Sequence, residues 1–197
     1  MNYLAHLYLS GADEDLLLGN FIGDSIRGDQ FERLDPAVQA GVSLHRSIDR
    51  FTDSHCVVGR TKALMRNDFG RYAAVVADVF FDHFLARDWR DYHPVALPEY
   101  ASHIYRTLAS RLQQCPPRSR DFFQYMVRVD VLTNYATIKG IEDVLCKMAQ
   151  RTRFVSGMEQ AGEVLRQRYD ALEKYFLAFF PELTAFADRE IDRLRND

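Results

Sequence analysis

Histidine and aspartate recur at one-turn spacings in the first half of this 197-residue chain. His45, Asp49 and Asp53 are each four residues apart. On a helix of 3.6 residues per turn such side chains share nearly one face, where an imidazole and a carboxylate can grip the same divalent cation. Asp78 and Asp82 repeat the spacing, and His83 follows about 100° round the helix. These charges interrupt the hydrophobic stretch 75–85, where an inward carboxylate is costly unless paired or metal-bound. Asp24 ends the run Gly19-Asn20-Phe21-Ile22-Gly23-Asp24, whose glycines let backbone approach a ligand. His6 is the polar member of Tyr3-Leu4-Ala5-His6-Leu7-Tyr8. Imidazole and carboxylate without thiolate favour Mn²⁺, Mg²⁺ or Fe²⁺ over structural zinc. Such a site suits hydrolysis of a phosphoester, in which the cation polarises a phosphoryl oxygen, an Asp or His moves a proton and an arginine neutralises the remaining oxygens. Arg46 and Arg50 are the candidates for that last role, followed by Arg60, Lys62 and Arg66.

Ordinary explanations stand beside these. Asp53 follows Thr52 where a helix cap would fall. Asp49 has Arg46 and Arg50 within reach on a solvated face. His6 fits a core histidine bonded to a backbone carbonyl, and Asp24 fits a turn terminator. His55 and His93 fall in connectors and read as surface residues.

Helices must position these groups. Asp35-Pro36 reads as a cap with proline at the first helical position, opening a helix over 36–51. Asp53 would cap the next, which Gly70 ends. Further helices are expected over 71–87, 97–114, 119–134, 141–150 and 157–180, with Pro181 restarting a last one to about residue 195. No strand-rich segment, linker or repeat is evident, so the expectation is an all-α single-domain helical bundle spanning 1–197.

Composition narrows the function. Five of the six histidines and twelve of the nineteen aspartates lie in residues 1–100, where ten Lys and Arg face fifteen Asp and Glu. The remainder is slightly basic. A net charge of −3 and a pI near 6.1 disfavour nucleic-acid binding through bulk charge. No apolar run approaches a membrane span, and the first residues lack the features of a signal peptide. Three scattered cysteines support neither a disulfide framework nor a zinc knuckle, so a cytoplasmic location is expected. Glycine-rich nucleotide loops and the Gly-x-Ser-x-Gly elbow are missing.

Four blocks together carry a resemblance. They are Met1-Asn2-Tyr3-Leu4-Ala5-His6-Leu7, Leu18-Gly19-Asn20-Phe21-Ile22-Gly23-Asp24, the run from Leu44-His45-Arg46-Ser47-Ile48-Asp49 to Ser54-His55, and Asp78-Val79-Phe80-Phe81-Asp82-His83-Phe84-Leu85. In this order and spacing the chain resembles the acyl carrier protein phosphodiesterase family. The resemblance implies an all-α, HD-domain-like metal phosphohydrolase that prefers Mn²⁺ and removes 4′-phosphopantetheine from the serine of holo-acyl carrier protein, a strongly acidic substrate. It carries the family's positions onto Asp24, His45, Asp78, Asp82 and His83, with His6 and Asp49 beside them. Asp24, His45 and His83 are then expected in catalysis, and Asp24, His45, Asp49, Asp78, Asp82 and His6 as metal ligands. The chain has no His-Asp dipeptide, only the reverse order at Asp82-His83. Two other readings fit the residues: a metal phosphoesterase acting on a nucleotide or other small molecule, and a non-catalytic helical module that docks a partner through 157–180.

Overall fold

A computed structural model describes residues 1–196, and every regular element among them is helical. The order is α1 (Tyr3–Tyr8), α2 (Glu14–Ile22), α3 (Pro36–Ser54), α4 (Cys56–Phe69), α5 (Ala73–Arg87), α6 (Trp89–Tyr92), α7 (Leu97–Ser110), α8 (Pro117–Arg128), α9 (Val131–Asn134), α10 (Ile138–Ala149), α11 (Ala161–Gln167) and α12 (Tyr169–Asn196). One contiguous apolar core takes residues from Met1 to Ile191. None of the described helices is long and apolar enough to cross a membrane.

Helix α3 starts as expected, with Pro36 in its first turn, although the Asp35 side chain accepts no helix N–H. It buries Val38, Val42, Leu44 and Ile48 and continues past Phe51, because nothing between residues 51 and 54 breaks it. Asp53 is therefore inside α3 rather than capping α4. The cap is His55, in extended backbone, whose Nδ1 accepts the Val57 N–H at 3.3 Å. Asp53 turns to Lys62 instead, at 2.7 Å.

The C-terminal part departs further from the expectation. Over 119–134 the helix breaks where Asp130 takes a left-handed conformation, φ 46°. Its carboxylate accepts the Tyr105 hydroxyl, which in turn accepts the Leu132 N–H that opens α9. The expected 157–180 helix is split between α11 and α12 at Arg168, whose guanidinium reaches Leu64 O and Asp68 on α4. Pro181 does not restart a helix; it lies inside α12. A proline there forfeits one backbone hydrogen bond, and burial of Phe176, Phe179, Phe180, Leu183 and Ala187 around it offsets that loss. Val164, Leu165, Leu172 and Phe176, within the 157–180 segment that the binding-module reading would use to dock a partner, are core.

Two contacts set the geometry that matters below. Helices α2 and α3 cross backbone to backbone at Gly19 and Gly41. A Cβ on Gly19 would lie 2.7 Å from Gly41 Cα, and one on Gly41 would lie 2.5 Å from Leu16 O. Helix α1 is then pinned to α5. Asp82, fully buried, accepts the N–H groups of Asn2 at 3.3 Å, Leu4 at 2.7 Å and Ala5 at 3.4 Å, while the Met1 ammonium meets Asp78 at 3.0 Å. Burial drives the Asp82 carboxyl up to about 7, and the nearby ammonium and the three amides restrain that rise.

Gly41→Ala is expected to lower stability by roughly 1–3 kcal/mol, read from the urea midpoint, because backbone rather than a yielding side chain blocks the new methyl. Asp82→Ala strands three amides beside a buried ammonium and should cost about 3 kcal/mol in the same assay.

Candidate active site

Three helices and one turn converge. Helix α1 contributes His6, α2 contributes Asn20, the 3₁₀ turn Gly23–Ser25 contributes Asp24, and α3 contributes His45 and Asp49. The imidazoles stack with centroids 4.3 Å apart and are almost wholly buried. Gly23 makes room for this, since a Cβ there would overlap the His45 ring. Both Nε2 atoms point at Asp49: His6 to Oδ1 at 3.2 Å and His45 to Oδ2 at 3.2 Å. His45 Nε2 also meets Asp24 Oδ1 at 3.3 Å. On the far side of both rings, Asn20 Oδ1 lies 2.8 Å from His6 Nδ1 and 3.1 Å from His45 Nδ1.

The electrostatics separate the two histidines. Burial, and then the neighbouring His45 charge, hold His6 below its ordinary value. Burial works against charge on His45 too, but its hydrogen bonds to the Asp24 and Asp49 carboxylates outweigh it and raise the imidazole to about 9. The Asp24 carboxyl is depressed, chiefly by its hydrogen bond to His45. Burial penalises the Asp49 carboxylate, yet the two histidines overcome that and hold its pKa well below the usual range. The carboxylates are the accessible side of this group, with Asp24 64% and Asp49 43% exposed.

They open onto a cavity of about 880 Å³, within the range of small-molecule sites. Tyr3, Phe21, Phe122 and Tyr125 form an aromatic wall, with Tyr3 and Phe122 stacked at 4.1 Å. Arg118, Lys147 and Arg151 complete the lining. Thr52 also lines it, with a buried hydroxyl that has no hydrogen-bond partner.

Only part of the expected ligand set comes together. Among the described residues, His6, His45 and Asp49 are the group whose donor atoms all lie within 4.8 Å of one another, and Asp24 adjoins them. Asp82 is spent on the amides of α1 and has no exposed surface. Asp78 lines the cavity but holds the Met1 ammonium. His83 is elsewhere: its Nδ1 bonds Tyr135 O at 2.8 Å and its Nε2 meets the Tyr169 hydroxyl at 2.8 Å, so both nitrogens are engaged away from the cluster. The two arginines expected at the substrate do not line the cavity. Arg46 donates to Ile26 O and lies over Phe31, and Arg50 borders a separate shallow groove with Glu190. His55 caps α4, and His93 packs between Trp89 and Tyr100. Asn20 was missed, although a lone amide between apolar residues of α2 was its visible mark. Arg118, Lys147 and Arg151 were missed because nothing in their spacing ties them to residues 6–49.

A family model described as acyl carrier protein phosphodiesterase matches residues 1–183. A protein of that name from Yersinia enterocolitica is 33% identical over 193 residues, 97% of this chain and 100% of the relative. Another from Escherichia coli is 34% identical over 191 residues, 96% and 99% of the two chains. A third, from Serratia proteamaculans, is 34% identical over 184 residues, 93% and 95%. No solved structure matches. With most of its length matched to hydrolases of phosphodiester bonds, the chain belongs to the acyl carrier protein phosphodiesterase family.

Proposed function

We propose that this chain hydrolyses the phosphodiester joining 4′-phosphopantetheine to the serine of holo-acyl carrier protein, releasing apo-protein, and that it does so with Mn²⁺ held by His6, His45 and Asp49. The observation that carries the metal reading is the convergence of those three donors at the edge of a large cavity. Two imidazole nitrogens and a carboxylate, without thiolate, fit Mn²⁺, and Mg²⁺ or Fe²⁺ would meet the same donors. The arrangement is HD-domain-like in its donor types, though reached without a His-Asp dipeptide. When bound, such an ion supplies polarisation of the phosphoryl oxygen and acidifies water near neutral pH.

The chain's own residues supply the rest. Asp24, ionised and open to the cavity, is placed to take a proton from the attacking water and to return it to the serine oxygen as the phosphorus–oxygen bond breaks. The water oxygen stays on phosphorus, so the products are a phosphomonoester and a serine hydroxyl. His83, expected in catalysis, is left out of this step because its nitrogens are engaged by Tyr135 and Tyr169. Arg118, Lys147 and Arg151 replace Arg46 and Arg50 as the groups that meet phosphate oxygens and an acidic protein partner. The aromatic wall suits the uncharged pantetheine arm. A cytoplasmic location goes with this reading, supported by three cysteines that are all free. Neither nucleic acid nor a membrane takes part in it.

Incubation with Mn²⁺ and holo-carrier should shift the carrier's mass by loss of the pantetheine group. Cleavage confined to small phosphodiesters would transfer the reading to a small-molecule enzyme, and the lack of both metal binding and hydrolysis would leave a binding module. His6→Ala and Asp49→Ala should each lower Mn²⁺ affinity and conversion by more than about 100-fold, the scale at which even supporting residues of metal sites matter. His83→Ala should leave Mn²⁺ affinity within a few-fold. Because His45 keeps its proton up to about pH 9, binding must displace it. Calorimetry should therefore show Mn²⁺ affinity rising about tenfold per pH unit from neutrality and levelling near pH 9.

A further inference from the structure

A cavity of about 880 Å³ can take a flexible arm but not a folded protein. The body of a carrier must therefore rest on the surface around the cavity mouth, and one part of that surface stands apart. Among the described residues five large apolar side chains are exposed, and only Phe154 and Val155 adjoin in the chain, 57% and 97% exposed. Their flanks hold them outward. The Thr152 hydroxyl lies 2.8 Å from Ala149 O, at the end of α10, and 2.8 Å from Phe154 O. On the other side Ser156 and Met158 are buried. Gly157, with φ 70°, passes so close to α4 that a Cβ on it would lie 2.5 Å from Asp68 O. Arg71 Cζ lies 4.2 Å from the Phe154 ring centroid and Arg153 Cζ 5.9 Å from it. Among the described residues neither guanidinium is ion-paired. The carboxylates nearest along the chain are committed elsewhere, Asp68 to Arg168 and Asp143 to Lys139. No Asp or Glu occurs between Asp143 and Glu159. A chain of net charge −3 thus carries a basic cluster around an apolar centre here. The cluster adjoins the cavity from two directions: Arg151, three residues before Phe154, lines it, and so does Ala74, three residues after Arg71.

We infer that Arg71, Arg153, Phe154 and Val155 form a docking surface for the folded body of the acyl carrier protein, outside the cavity that takes its arm. The inference rests on the reading of the substrate as a carrier protein. The surface that fits this cluster presents carboxylates around an apolar side chain. Its carboxylates meet the two guanidinium groups, and its apolar group covers Phe154 and Val155. An anionic membrane would meet the same charges, but two apolar side chains on a loop bury far less than an amphipathic helix lying in a bilayer interface. None of the four residues lines the cavity, so the cluster acts on association and not on the chemical step. Removing it should raise KM and leave kcat in place.

Apo-acyl carrier protein is the probe, because it has no arm to occupy the cavity. Calorimetry should show it binding the full-length parent. Arg71→Glu combined with Arg153→Glu, and Phe154→Ser alone, should each weaken that binding about tenfold or more at an unchanged melting temperature. With holo-carrier as substrate, the same variants should raise KM by a similar factor and keep kcat within about twofold. Val155→Glu, at a side chain almost wholly in solvent, should act the same way, and it decides the matter if the other variants fail to fold. Folded variants that match the parent in both Kd and KM overturn the docking surface and leave the carrier as substrate. A parent that neither binds nor cleaves the carrier removes the substrate reading and this inference with it. Phosphatidylglycerol vesicles are the second probe. Co-sedimentation of the parent that these substitutions abolish, with carrier binding untouched, would overturn the inference and assign the cluster to a membrane.

Discussion

The close approach of α2 and α3 is the constraint from which the site follows. Side chains normally hold helices 8–10 Å apart, and the Gly19–Gly41 contact removes the Cβ atoms that would keep them there. Asn20 is the next residue after Gly19, and His45 is one turn beyond Gly41. A hydrogen bond between side chains so near their backbones is available only if those backbones nearly touch. Gly23 extends the same logic by one turn, giving the His45 ring a flat floor. The three glycines thus act through what they omit.

Helix α1 raises a different problem, since six residues are too few to hold a helix in water. Tertiary contacts have to hold it: the burial of Leu4, Ala5 and Leu7, and the amides that Asp82 accepts. A carboxylate buried in an apolar helix is unfavourable, as its elevated pKa records. Part of that cost is offset where the carboxylate satisfies amide groups at a helix start, which would otherwise be unpaired. Because His6 rides on α1, the position of its Nε2 depends on a carboxylate that never touches it.

This explains which parts of the site could be read from the sequence. The four-residue spacing of His45 and Asp49 states a local fact, and the structure keeps both on one face of α3. Asp78 and Asp82 have the same spacing on an equally regular helix, yet serve the start of α1. Spacing fixes which side chains share a face; it does not fix what that face meets. The partners of Asp82 are nearly eighty residues away, and no local pattern encodes them. His83 beside Asp82 looked catalytic for the same reason. The all-α class was legible because it sums many local periodicities, whereas the passage of α12 through Pro181 was not, because aromatic burial overrides proline's local preference there.

The uneven charge of the chain takes its meaning from the cavity. Its acidic lining comes mainly from the first half, through Asp24, Asp49, Asp53 and Asp78, while Arg118, Lys147 and Arg151 come from the second, with Asp121 among them. A cavity lined by this many carboxylates as well as cations is poorly suited to a simple anion, which the carboxylates would repel. A phosphodiester serves such a cavity only if something neutralises the acidic wall, and His6 and His45 do so incompletely: between them they carry one favoured proton, on His45, against the charges of Asp24 and Asp49. A divalent cation at these donors, taking the place of the His45 proton, would neutralise Asp24 and Asp49. The cations of Arg118, Lys147 and Arg151 would then act on a phosphate without that opposing charge, and the ion itself would offer a phosphoryl oxygen a local positive centre.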